Sequence, residues 1–174
     1  MSWRQGHSAI VCKYLNFCDK LNRNFRLPLV HIRLKQGEKS VRTDALVDVG
    51  STDTFVPMDF MNMIEFNFDE QANQLGKKIK GYEKTEVTGG GGKFQCYVVC
   101  LNAIQVLKGT FVFCDFNNVT ILVPCELDAI PYAVLGRNTI FRRYDVTFRE
   151  QMEQIIFKPC KTNETFNRGA FKRK

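Results

Sequence analysis

One short stretch of this chain sets a group able to do acid–base chemistry where a backbone turn would hold it. Asp48-Val49-Gly50-Ser51 follows the apolar run Ala45-Leu46-Val47. A carboxylate fixed at a strand end can take or give a proton, and the glycine after it lets the backbone turn sharply. The bland alternative is a turn aspartate with no chemistry, a common role for this residue type. Gly89-Gly90-Gly91-Gly92 is a second candidate. Ordering four successive glycines costs much backbone entropy, so they read as a hairpin tip that moves. They do not read as a phosphate loop, because Lys93 is followed by Phe94 rather than Ser or Thr. His7 and His31 have no cysteine nucleophile in a recognised context, and the spacing of Cys12 and Cys18 matches no zinc finger or ribbon. No metal and no organic cofactor is therefore expected.

The elements that would position these groups are strands. Ser8–Phe17 and Phe25–Leu34 are rich in β-branched and aromatic residues around a polar Asp19–Asn24 turn, which predicts a hairpin. A turn at Gly37 leads to a strand over Thr43–Val47 that delivers Asp48. Thr54-Phe55-Val56 is apolar again, and Pro57 opens a short helix over Met58–Ile64. Glu65–Tyr82 reads as an irregular surface insertion. Lys93–Leu101, Ile104–Val106, Thr110–Phe116 and Val119–Val123 are strand-like, with turns expected at Lys108-Gly109 and Asn117-Asn118. Ala133–Leu135 is a further strand, Arg137–Phe141 a short helix, and Tyr144–Phe148 with Glu153–Phe157 a final hairpin. An all-β meander or closed barrel is the economical architecture.

Ala45-Leu46-Val47-Asp48-Val49-Gly50-Ser51, continued by Thr54-Phe55-Val56-Pro57, resembles the active-site motif of the retropepsin-like aspartic peptidases. Ala133-Val134-Leu135-Gly136-Arg137-Asn138 resembles the second motif of the same family and follows in the expected order. The resemblance spans about Leu27 to Phe157 and implies a peptidase whose two aspartates share a proton. One of them activates water and the other polarises the peptide carbonyl. The chain carries one such aspartate, so the resemblance implies a homodimer with a copy of Asp48 from each subunit. It also implies that Gly50 hydrogen-bonds substrate, that Ser51 stands beside Asp48, and that Thr52 and Asp53 line the cleft. Gly89, Gly90, Gly91 and Gly92 would form a flap closing over a peptide or protein substrate.

The sequence departs from the family pattern twice. Val49 stands where the family has Thr or Ser, and lacks the hydroxyl that joins the subunits beneath the dyad. Thr52 stands where the retroviral enzymes carry the acid that pairs with the motif arginine, so Arg137 needs another partner, with Asp53 or Asp44 the candidates. A dimer that binds extended peptides by strand addition without cutting them is the alternative. Asp48–Thr52 also resembles the phosphate-binding hairpin of the actin, Hsp70 and sugar-kinase ATPases, but the chain has neither the length nor the strand–helix alternation of their two α/β halves.

Composition bounds the rest. At 174 residues, 44% hydrophobic and 25% charged, the chain fits one folded core. A net charge of +7 favours acidic partners, but no basic–aromatic signature selects nucleic acid. No segment approaches the roughly 18 apolar residues of a membrane span, and no signal peptide is apparent, so a cytoplasmic location is expected. The seven cysteines include no Cys-x-x-Cys pair, the usage of reduced, buried thiols. The expected organisation is an N-terminal hairpin extension over residues 1–26, the peptidase-like domain over 27–158, and a basic tail over 159–174.

Overall fold

The computed structural model describes residues 9–19, 21–66, 84–89, 92–126 and 129–160. The expected insertion after Phe66, Gly90, Gly91 and the tail after Cys160 lie outside the described residues.

The fold is dominated by strands. β1 (Ile10–Lys13), β2 (Leu15–Cys18), β3 (Asn24–Leu27), β4 (Leu29–Gln36) and β5 (Lys39–Val47) lead to α1 (Met58–Met63). β6 (Lys84–Gly89), β7 (Gly92–Lys108), β8 (Phe111–Pro124), β9 (Ala133–Leu135), β10 (Tyr144–Arg149) and β11 (Gln154–Pro159) follow. The main sheet runs β6-β7-β4-β5-β9, with β8 on β7. β4 shows why it forms: Val30, Ile32 and Leu34 are buried, while His31, Arg33 and Lys35 between them reach the other face. Ile32, Leu34, Leu101, Ile104, Ile121, Leu135, Ile140 and Phe157 make the centre of the core. Each such side chain stabilises the fold by about 1.5–3 kcal/mol relative to exposure.

The strand pattern departs from expectation in several places. The first hairpin forms only as β2–β3, Leu15 opposite Leu27, while β1 pairs with β11 beside β10. Tyr14, between β1 and β2, is buried and donates to Glu150 Oε1 at 2.6 Å, which fixes the point where the chain leaves one sheet for the other. No turn interrupts β8 at Asn117-Asn118. Asn118 takes a left-handed φ of 52° that asparagine tolerates, and pairing with β7 continues on both sides of it. The helix expected after Arg137 is a turn followed by a single 3-10 turn over Ile140–Arg142, because the chain enters β10 at Tyr144.

The barrel is not closed by strand ladders. Between β8 and β9 runs only the segment Thr54–Val56, whose Phe55 makes isolated bridges to Leu122 and Val134. Bounded by the Asp48 turn on one side and Pro57 on the other, it is too short to pair as a strand.

The expectation of buried thiols holds for Cys96 and Cys114 alone: Cys18 is exposed, and Cys12, Cys100, Cys125 and Cys160 are part-buried. Burial, with the nearby Cys125 thiol second, pushes Cys96 up to about 12. Its thiol is therefore neutral and packs as a small apolar group. No described helix is long and apolar enough to cross a membrane.

Candidate functional site

β5 and β9 are parallel neighbours, with Ala45 opposite Ala133 and Val47 opposite Leu135. That register brings the two glycine-bearing segments that follow them, Asp48–Ser51 and Gly136–Asn138, side by side. Asp48 N–H donates to Leu135 O at 3.2 Å. Arg137 and Asn138 N–H donate back to Ser51 O and Thr52 O at 2.9 and 3.0 Å. Gly136 is packed so tightly that a Cβ there would lie 2.6 Å from the Asp53 carbonyl carbon and overlap its oxygen. No larger residue fits.

A buried hydroxyl pair completes the junction. Thr54 Oγ1 donates to Asn138 Oδ1 at 2.7 Å, accepts from Gly136 N–H at 3.2 Å and lies 2.9 Å from Thr139 Oγ1. Asn138 Nδ2 extends the network to Thr120 O on β8 at 3.3 Å. Thr54 and Thr139 are the fully buried polar side chains of the described core, and both are satisfied, as burial requires.

Asp48 stands on this platform, half-buried. Its Oδ1 accepts from Gly50 N–H at 2.8 Å, and no described group bonds its other oxygen. A Cβ on Gly50 would come within 3.1 Å of that Oδ1, so the close approach favours glycine. The Ser51 hydroxyl does not bond the Asp48 carboxylate: it donates to Asp53 O at 2.7 Å and locks the loop, while Ser51 N–H donates to Asp48 O at 3.3 Å. Arg137 takes neither Asp53 nor Asp44. Its Nη2 lies 3.4 Å from Thr52 Oγ1, a weak contact; Asp44 is taken by His31, and Asp53 lines the cleft. Val49 is exposed.

The cleft over Asp48 has a volume of about 590 Å³. Gly50, Ser51, Thr52 and Asp53 line it from the loop, and Val87, Thr88, Lys93 and Phe94 from the β6–β7 hairpin. Gly89 pairs with Gly92 at the end of that hairpin. The Phe55 and Phe94 rings, 6.1 Å apart, tie the hairpin to the floor beside the Asp48 loop. Glu126, Ala129, Ile130 and Val134 form the remaining wall. Sequence reasoning missed Thr54, Thr139, Phe94 and Glu126. A threonine opening an otherwise apolar segment was a legible sign for Thr54, whereas nothing local marks Glu126.

A groove of similar size, about 620 Å³, lies on the outer face of β4 and β5. There His31 Nδ1 meets Asp44 Oδ1 at 2.6 Å, near Arg42 and the edge-to-face rings of Phe17 and Tyr132. Among the described residues, no group of His, Cys, Asp and Glu could hold a metal ion.

No protein-family model matches the sequence, and no curated protein matches it. Among solved structures, the chain is similar to the crystal structure of a retropepsin-like aspartic protease from Rickettsia conorii. The identity is 15%, over 90% of this chain and 95% of that one, with a TM-score of 0.48. Likeness at that level does not assign a family or an activity.

Proposed function

We propose that the chain is an aspartic endopeptidase that works as a homodimer, its active site formed by one Asp48 carboxylate from each copy. The observation that carries this reading is the Asp48 carboxylate itself, held by the Gly50 amide at the foot of a cleft walled by the β6–β7 hairpin. Two such carboxylates brought together share a single proton, because both cannot ionise readily. The ionised one removes a proton from water as the water oxygen attacks the peptide carbonyl carbon. The protonated one donates a hydrogen bond to the carbonyl oxygen. The tetrahedral intermediate collapses with cleavage of the C–N bond, and the departing amine takes a proton from the dyad. Exposed Val49, next to Asp48, is a side chain a second copy would cover. Gly89–Gly92 would act as the flap, and an acidic optimum is expected from a dyad that must carry a proton.

The second reading, a dimer that binds extended peptides without cutting them, is favoured by one feature: Val49 has no hydroxyl to brace the dyad. Cleavage of a diverse library of unstructured peptides, from acid to neutral pH, separates the two. The expected result is cleavage by the wild type that is lost in Asp48→Asn and blocked by a statine-type inhibitor. Asp48→Asn keeps the acceptor for the Gly50 amide, so it should fold as the wild type does. Absence of cleavage by a folded wild-type dimer would move the assignment to peptide binding.

A further inference from the structure

The Asp48 cleft is acidic inside a basic chain. The whole sequence carries a formal charge of +7, yet the charged side chains lining the described part of the cleft are Asp48, Asp53, Glu126 and Lys93. Lys93 is already neutralised, its Nζ 2.8 Å from Glu86 Oε1 on the neighbouring strand. Neither the Asp53 nor the Glu126 carboxylate has a hydrogen bond or ion pair among the described residues.

Asp53 is also rigidly placed. Its carbonyl accepts the Ser51 hydroxyl and presses against Gly136, so the backbone carrying its carboxylate has little room to shift. Glu126 follows Cys125, whose N–H is anchored to Gln95 O at 2.9 Å. Around these acids the floor and wall are apolar: Phe55, Phe94, Ile130 and Val134. A pocket that pairs uncompensated carboxylates with an apolar floor attracts a ligand with a cation close to a large apolar group, and repels an acidic one.

We propose that this cleft selects extended peptides carrying Lys or Arg close to a large apolar residue. The apolar side chain seats on Phe55, Phe94, Ile130 and Val134, and the cation meets Asp53 and Glu126. The inference rests on reading the cleft as a peptide site. In the homodimer the two-fold axis repeats the rim, so a cation is favoured on both sides of the scissile bond.

The test is fluorescence anisotropy with Asp48→Asn protein and labelled unstructured peptides that share a central Leu-Phe and differ only in Lys, Ala or Glu beside it. The Lys peptide is expected to bind about tenfold more tightly than the Glu peptide. That gap should fall to within about twofold when Asp53→Asn and Glu126→Gln are added to the same background, and should narrow with added salt. Equal affinities for the two peptides, or a gap that the added substitutions leave intact, would overturn the proposal. Cleavage of the same peptides by the wild type is read separately. Charge-blind cleavage overturns the selectivity and leaves the peptidase reading standing. Charge-selective binding without cleavage supports the selectivity and removes the peptidase. No binding of any peptide overturns both.

Discussion

Two depressions of nearly equal size, about 590 and 620 Å³, lie on this molecule, and each contains a carboxylate. They differ in what stands behind the carboxylate. Behind Asp48 are the parallel β5–β9 register, the Leu135, Ser51 and Thr52 carbonyls, and the buried Thr54–Asn138–Thr139 network. Behind the Asp44 carboxylate the partner among the described residues is His31, and each of the two side chains is roughly half exposed, at 43% and 53%. Size therefore does not separate a carboxylate on a buried platform from one in a surface groove. The separating feature is whether backbone and buried polar groups fix the carboxylate, because a positioned group needs support that solvent cannot supply.

On that difference, the largest effect of any substitution near either carboxylate should come from Gly136→Ala. The added methyl overlaps the Asp53 carbonyl; a Cβ has no rotamer and the carbonyl is backbone, so neither can swing away. A loss of about 3 kcal/mol in unfolding free energy is expected, measured by urea denaturation. A variant as stable as wild type would mean that the Asp48 platform yields, and the contrast with the groove would collapse.

Thr54→Val comes next. It keeps the shape but removes the hydroxyl that Gly136 N–H and Asn138 Oδ1 use, leaving buried polar groups without partners at a cost of about 1–3 kcal/mol. Thr54→Ser should restore most of that stability. If the network positions Asp48, Thr54→Val protein under conditions where it is fully folded should also cleave peptide more slowly, with kcat lowered more than KM raised.

Much of this platform could be read along the chain, because its parts are local. An apolar strand, an aspartate and a glycine give Asp48, and a second apolar strand with a glycine gives Gly136. What stayed illegible depends on partners remote in sequence. Arg137 was expected to find Asp53 or Asp44, but His31 claims Asp44 across the β4–β5 ladder, and only the fold reveals that competition. Likewise, Ser51 faces Asp53 because the loop curls onto Gly136, 85 residues beyond Ser51 in the chain. Asn117-Asn118 misled in the opposite sense. Its composition signals a turn, but pairing along the long β7 outweighs one residue with positive φ. The missing ladder between β8 and β9 also depends on a distant segment, since Thr54–Val56 threads between them and bonds to Leu122 and Val134.

The smallest effect should come from the groove. Asp44→Asn alters one member of a hydrogen-bonded pair whose two side chains are both reached by water, so the contact is worth less than about 1 kcal/mol to stability. The amide can still accept a hydrogen bond from His31, which trims the loss further. Arg137 contacts Thr52 rather than Asp44, so the Asp48 loop should not register the change. Denaturation curves and peptide cleavage are both expected to match wild type, with cleavage within about twofold. A marked loss of activity with unchanged stability would give the groove a role in the reaction, and would show that a water-exposed His31–Asp44 hydrogen bond on β4 and β5 is coupled to the carboxylate at the end of the same strand.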